Sequence, residues 1–270
     1  MTKHILDTAK YLSRIILLML VVGSAPAAEP KTKPHIVFMI GEDEYKTWET
    51  LPEFAKTELE PNGFRVSVIQ ADSRDKNNFP GLVEALRDAD LLFISLRRRT
   101  PQKEQLDAVR AHLDAGKPLV GIRTACHAFA PAPRDEDAVA ANSKLAAWAG
   151  FDPEVLGGHY TGHHGNGPKS AVSVAPGADD HPILNGVAVT RLTGNGSLYK
   201  VSPLSATASV LLNGAIPGEP SEPVAWTRIY GPKKAPIFYT SLGHPDDLKN
   251  PEFRRLLMNG IRWALQLRKS

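Results

Sequence analysis

The sequence predicts an α/β fold with a doubly wound, mostly parallel sheet. Short apolar runs alternate with amphipathic segments in the first half of the chain, as in strands joined by right-handed crossover helices. These runs are almost continuously apolar, which is typical of strands covered on both faces. In the second half only turns separate some strand-like runs, so we expect additional antiparallel strands there.

Eight segments have the composition of strands, because aliphatic and aromatic residues dominate each of them. The four in the first half are residues 35–40, 65–69, 90–96 and 118–122. The four in the second half are residues 171–175, 209–213, 223–230 and 236–242.

Three helix starts are predicted between or after these strands. Thr50 and Glu53 have the spacing of a capping box. Thr100 and Asn250 each precede a proline, and the amphipathic segments that follow are predicted to be helical. The segment after Asn250 has one broad apolar face and is predicted to be the last helix.

The N-terminal 28 residues have the pattern of a secretory signal peptide. Basic residues precede a short apolar core, and the small residues SAPAA follow it. We therefore expect export to the periplasm or the extracellular space, and a single domain over residues 29–270. An uncleaved N-terminal anchor is the alternative; after cleavage we expect no stable membrane span.

Net charge argues against nucleic-acid binding, and cysteine content excludes an intrachain disulfide. The leader holds three of the 32 basic residues and one of the 29 acidic residues, which leaves 29 basic and 28 acidic residues. A nearly neutral chain without a basic stripe is not expected to bind nucleic acid. The single cysteine, Cys126, excludes an intrachain disulfide.

Charged and histidine-rich loops follow four of the predicted strands, at residues 41–45, 97–100, 123–129 and 243–247. Ligands of open α/β sheets bind at the carboxyl ends of the strands. We therefore expect these loops to share one rim around a polar ligand, with six side chains within reach of it: Glu42, Arg97, Arg123, His127, His244 and Asp246.

Five stretches of the chain have a distinctive pattern: PLVGIR, GGHYTGHHGN, HPILNGV, LYKVSPL and FYTSLGHPDDLKNPEFRRLLMNGIRWAL. Together they resemble the ThuA-like family of trehalose-utilisation proteins. The resemblance covers nearly all of the chain after the leader. It implies a class I glutamine amidotransferase-like fold, which is a flavodoxin-like sheet with additions. It also implies a link to sugar metabolism, particularly to oxidised (3-keto) glycosides.

The hydrolytic members of this superfamily carry a cysteine in a G-x-C-x-G turn and a late His-Pro-Glu. GHPDD resembles the second element, with His244 and Asp246 at the His and Glu positions. Arg123 stands where the nucleophile would be, and Cys126 lies three residues later. The resemblance therefore implies that the nucleophile is missing, and we do not expect glutamine hydrolysis.

A chemistry based on proton transfer is compatible with the remaining groups. We expect His244, oriented by Asp246, to move a proton of an oxidised sugar, with Arg123 or Arg97 facing the developing charge. His127 and Glu42 are further catalytic candidates, and the substrate-binding candidates are Arg97, Tyr45 and Tyr160. Isomerase, lyase and hydrolase reactions stay open. In the alternative interpretation His244 only caps the strand end, while Asp246 and Asp247 cap the last helix or turn.

A second cluster, GGHYTGHHGNG, contains histidines that could bind a divalent metal ion such as zinc through His159 and His164. In the alternative, these histidines bond to backbone or sugar hydroxyl groups. A metal-dependent hydrolase and a non-catalytic carbohydrate-binding module therefore remain open. No phosphate-binding glycine motif follows the first strand, so a nucleotide cofactor is not expected. The expected partner is a small sugar-type ligand, and homo-oligomerisation stays open.

Overall fold

The computed structural model describes residues 33–266, so the predicted leader lies outside the described residues. The strands of this part of the chain are β1 His35–Gly41, β2 Arg65–Gln70, β3 Leu91–Leu96, β4 Leu119–Ile122, β5 Gly162–His163, β6 Ser170–Val174, β7 Thr193–Gly194, β8 Tyr199–Lys200, β9 Ser209–Ala215, β10 Glu222–Tyr230 and β11 Ala235–Thr240. Its α-helices are α1 Thr47–Phe54, α2 Leu82–Arg87, α3 Lys103–Asp114, α4 Glu136–Ala141, α5 Pro245–Leu248 and α6 Pro251–Ala264.

Nine of these strands form one mixed sheet in the order β2-β1-β3-β4-β11-β10-β9-β6-β7. The first five are parallel neighbours, and the pairs from β11 to β7 are antiparallel. The parallel part has the strand order of a flavodoxin-like fold, with β11 as its fifth strand. The predicted fold class is confirmed, and each predicted strand is present to within two residues at either end.

Both faces of the parallel part are covered by helices. Ile36 and Phe38 pack with residues of α1 and α6 on one face, whereas Val37 and Met39 pack with residues of α2 and α3 on the other. This two-sided burial explains the continuous apolar runs. β2 is the exception, because it is the edge strand and its side chains are partly exposed. No helix between residues 33 and 266 is both long and apolar enough to cross a membrane.

The predicted helix starts differ in outcome. α6 begins as expected, because the Asn250 side chain accepts a hydrogen bond from the Glu252 backbone N–H at 2.9 Å. The predicted capping box at Thr50 is wrong: α1 already begins at Thr47, whose N–H donates to the buried Glu42 carboxylate at 2.8 Å. α3 begins at Lys103, three residues after Thr100.

Candidate functional site

A pocket of about 250 Å³ opens at the carboxyl ends of the parallel strands. It lies beside the loops that follow β1 and β3, where the strand order reverses and ligands of such sheets bind. Four of the predicted site residues line it, namely Tyr45, Arg97, His127 and Tyr160. The other lining residues are Glu44, Arg98, His163, Asn166, Ser197 and Tyr199.

The loop after β1 is organised by Glu42, which is 2% exposed. Its carboxylate accepts hydrogen bonds from the N–H groups of Glu44 and Tyr45, both at 2.6 Å, and from the N–H and hydroxyl of Thr47. Four donors occupy both oxygens. Glu42 therefore shapes the loop that carries Tyr45, and its carboxylate does not line the pocket.

Arg123 lies beneath the pocket and is 3% exposed. Its Nη1 donates to the carbonyl oxygens of Ser197 at 2.9 Å and Ser241 at 2.8 Å. Its Nη2 donates to the Tyr45 hydroxyl at 3.1 Å, and the guanidinium carbon lies 4.0 Å from the ring centre of Tyr199. The guanidinium thus supports two residues of the pocket wall from below.

The backbone at Arg123 has the left-handed conformation, with φ of 46°. Its carbonyl accepts a hydrogen bond from the Tyr239 hydroxyl at 2.6 Å, which holds this turn on the neighbouring strand β11. A residue with positive φ directly after a central strand is the arrangement of a nucleophile elbow. Here the residue in this position carries a buried guanidinium.

Cys126 is fully buried near this elbow. Burial raises the pKa of its thiol to about 12, so the thiolate is scarce near neutral pH. A buried thiol with a raised pKa is poorly suited to act as a nucleophile.

His127 is the buried imidazole of the pocket, with 7% exposed, whereas the second lining histidine, His163, is exposed. Burial, together with the positive charges of Arg98, Arg97 and Arg123, lowers the pKa of His127 to about 3. Its ring lies 4.5 Å from that of Tyr160, centre to centre. His127 is therefore a neutral imidazole at physiological pH, held between aromatic rings and cations.

Two arginines form the outer wall of the pocket. Arg97 is paired with Glu44, with 2.9 Å between Nη2 and Oε1. Arg98 has a left-handed backbone with φ of 51°, and its N–H donates to the His127 carbonyl at 3.0 Å. The Arg98 guanidinium makes one long contact of 3.4 Å to the Pro131 carbonyl and no ion pair within residues 33–266.

Residues 36–264 match the family model described as ThuA, trehalose utilisation. The chain belongs to the ThuA family. A ThuA-like protein from Bacteroides uniformis ATCC 8492 is similar in structure, with a TM-score of 0.63, 17% identity, and 89% of this chain and 95% of that chain covered. A second, from Parabacteroides merdae ATCC 43184, has a TM-score of 0.59 and 17% identity, with 88% and 93% covered. A comparison with curated proteins gives no match.

The late histidine of this ThuA-family chain, His244, is the N-cap of α5. Its Nδ1 accepts a hydrogen bond from the backbone N–H of Asp246 at 3.2 Å, whereas the Asp246 carboxylate lies 3.7 Å from Nδ1 and binds Lys249 at 2.8 Å. The carboxylate of Asp246 is thus too far to hydrogen-bond the ring. The predicted orientation of His244 by Asp246 is absent, and the capping interpretation describes the geometry.

The buried carboxylate of this loop belongs to Asp247, which is 2% exposed. It accepts hydrogen bonds from the N–H groups of Gly243 at 2.8 Å and His244 at 2.9 Å, and from both nitrogens of Asn195. The His244 ring is 6.1 Å from that of Tyr45, centre to centre, but His244 does not line the pocket. His244 therefore lies beside the site and supports its wall.

His159 and His164 bind different carboxylates. His159 Nδ1 lies 2.6 Å from the buried Asp152, and His164 Nδ1 lies 2.9 Å from Glu219. Residues 33–266 contain no group of three or more His, Cys, Asp or Glu side chains that could hold a metal ion. The predicted convergence of these two histidines on one ion is therefore not supported. The short pair β5 and β8 instead positions His163 and Tyr199 in the ThuA pocket.

Six of the ten lining residues were not predicted as site residues, and three of them show why. Tyr199 lies in the stretch LYKVSPL that contributes to the family resemblance, so its position was marked but its role was not. Arg98 belongs to the run of three arginines, in which no pattern tells which side chain faces a ligand. Ser197 follows a Gly-Asn-Gly turn and carries no recognisable signal.

Proposed function

We propose that this ThuA-family protein acts on a sugar derivative by general acid/base proton transfer in the pocket at the carboxyl ends of β1, β3 and β4. The observation that carries the proposal is the joint presence of three tyrosines, two imidazoles and two guanidinium groups around a pocket of about 250 Å³. Tyrosine rings pack against the C–H faces of sugar rings, while their hydroxyls and the arginines bond sugar oxygens. Such a lining suits a polyhydroxylated ring.

The proposed chemistry begins at a carbon next to a sugar carbonyl, where the C–H bond is acidified. His127, the buried one of the two imidazoles that line the pocket, takes this proton in place of His244. The electron pair of the C–H bond moves towards the carbonyl oxygen, and Arg97 and Arg98 stabilise the resulting enediolate. If the proton is delivered to the former carbonyl carbon, while the hydroxyl group on the first carbon becomes the new carbonyl and passes its proton to the enolate oxygen, the product is an isomer. If the oxygen substituent at the β-carbon leaves instead and takes the proton from His127, the products are an unsaturated ketone and an alcohol.

Proton exchange with solvent tests this role directly. Incubation with trehalose and with 3-keto-trehalose in D₂O, followed by NMR, measures both product formation and deuterium uptake next to the carbonyl. We expect His127→Asn to slow uptake by about 10² to 10⁴-fold. The matched control His244→Asn, which alters an imidazole beside the pocket, should retain most of the uptake.

Three outcomes would contradict the proposal. Unchanged deuterium uptake in His127→Asn would exclude this residue as the proton carrier. Binding of both sugars without uptake or product would identify a non-catalytic sugar-binding module. Loss of activity on chelation, restored by zinc, would favour the metal-dependent hydrolase.

We also propose that the protein is exported and that its leader is removed. The support is the sequence pattern of residues 1–28. Mass spectrometry of protein recovered from the periplasm or medium should find an N-terminus at Glu29 or one residue earlier. An intact Met1 in that fraction would contradict cleavage and favour the anchor.

A further inference from the structure

Positive charge exceeds negative charge in and under the pocket. Arg97 and Arg98 line it, and Arg123 lies directly below. The one acidic lining residue is Glu44, which is paired with Arg97. Among the described residues, no carboxylate forms an ion pair with Arg98 or Arg123. The pocket therefore presents two guanidinium charges that the described fold does not neutralise.

Burial makes this excess costly at Arg123. A buried guanidinium is normally paired with a carboxylate, but Arg123 bonds to carbonyl and hydroxyl oxygens, and its Nε has no partner among the described residues. The rings of Tyr45 and Tyr199, 4.8 and 4.0 Å from the guanidinium carbon, compensate in part. An anion in the pocket above would offset the remaining charge.

The same positive field acts on His127. The charges of Arg98, Arg97 and Arg123 add to burial in lowering its pKa to about 3, and a base with so low a pKa accepts protons poorly near neutral pH. A negatively charged group bound between these arginines would counter their field. The pKa of His127 would then rise towards the range in which an imidazole carries protons.

Size limits what this anion can be. A volume of about 250 Å³ is smaller than the ~300–1,000 Å³ of sites for drug-sized ligands, so one sugar ring is enclosed. The Arg98 guanidinium offers a planar donor fork that is free of ion pairs within the described residues, and such a fork matches a carboxylate. We propose that the substrate is a sugar acid, with its carboxylate bound by Arg98 and its ring placed against the tyrosines. This inference rests on the proposed function of the pocket as a sugar site.

Calorimetric titration of the wild-type protein with glucose and glucuronate tests the inference, because these rings differ only in having a hydroxymethyl or a carboxylate group at C6. Galacturonate keeps the ring and the carboxylate but inverts the hydroxyl at C4, and acetate carries the charge without the ring. We expect at least one of the two sugar acids to bind about ten- to a hundredfold more tightly than glucose and acetate, as for a charge-assisted hydrogen bond. Raising the salt concentration should weaken sugar-acid binding and leave glucose binding unchanged.

Arg98→Gln should abolish this preference, whereas Arg134→Gln, which removes the same charge from an exposed side chain, should retain it. Glucose binding in Arg98→Gln shows that the variant is folded. Three results would overturn the inference: glucose binding as tightly as both acids, no measurable binding of either acid, or equal losses in the two variants.

Deuterium uptake by neutral 3-keto-trehalose without any preference for acids would refute only this inference. Acid binding without proton exchange on any sugar would refute only the proposed reaction.

Discussion

Replacement of Asp247 by alanine should be among the most destabilising single changes in the loop between β11 and α6. The carboxylate of Asp247 accepts four hydrogen bonds, from the N–H groups of Gly243 and His244 and from both nitrogens of Asn195. The Gly243 N–H is fully buried, and leaving it unpaired costs about 1–3 kcal/mol. The other three donors are partly buried and regain water in part. We therefore expect the free energy of unfolding to fall by about 3–5 kcal/mol.

Urea denaturation followed by tryptophan fluorescence measures this loss. The neighbouring variant Asp246→Ala is the matched control, because the Asp246 carboxylate is exposed, bonds to the exposed Lys249 and lies 3.7 Å from the His244 ring. Surface ion pairs contribute little, so this variant should unfold close to the wild-type midpoint. Equal midpoints for the two variants, or a loss below about 1 kcal/mol in Asp247→Ala, would refute the assignment of the structural role to Asp247.

Three further predictions concern buried groups. Acidification should destabilise the fold, because burial lowers the pKa of His112 to about 4 and that of His127 to about 3, whereas a histidine of the unfolded chain has a pKa of ~6.5. The free energy of unfolding should be constant above pH ~6.5. Towards pH 4 it should fall by up to ~1.4 kcal/mol for each group and pH unit. Urea titrations at pH 7.5, 5.5 and 4.5 measure this slope, which should flatten in His127→Asn. In Gly196→Ala the new Cβ would lie 2.5 Å from Nη2 of Arg123. We therefore expect the free energy of unfolding to fall by about 1–3 kcal/mol and sugar binding to weaken. Wild-type stability and wild-type binding would contradict the close contact between Gly196 and Arg123. The buried Cys126 should resist iodoacetamide in the native protein and react only in urea, and rapid native labelling, read by mass spectrometry, would disprove its burial.

The strands and the shared rim could be predicted because their signals are local or follow from topology. Continuous apolar runs such as residues 35–40 and 90–96 report burial on both faces. Once the strands are parallel, their carboxyl ends must lie at one edge of the sheet. This is why Tyr45, Arg97 and His127, which follow three of these strands, were expected at one rim. Tyr160 lies outside the loops after the predicted strands and was expected only as a ring that could stack on a sugar.

The choice between adjacent residues could not be predicted in the same way. Asp246 and Asp247 have the same chemistry, and only the turn of α5 decides which carboxylate faces inward. A signal was present: His244 and Asp247 have the i, i+3 spacing of a capping box, which is usually sought with Ser or Thr at the first position. Burial of Arg123 had no local signal, because its partners Ser197 and Ser241 are 74 and 118 residues away in sequence.

The central position of β11 has a consequence for biosynthesis. β11 pairs with β4 at positions that are 118 residues apart, as in Ile237 with Leu119. Until the ribosome has released residues 235–240, the apolar strand β4 lacks its neighbour on that side, and an unpaired strand edge favours aggregation. The elbow at Arg123 also waits for Tyr239, which holds its carbonyl. Nascent chains that end before β11 should therefore depend on chaperones, and the site should form only after nearly the whole polypeptide has been made.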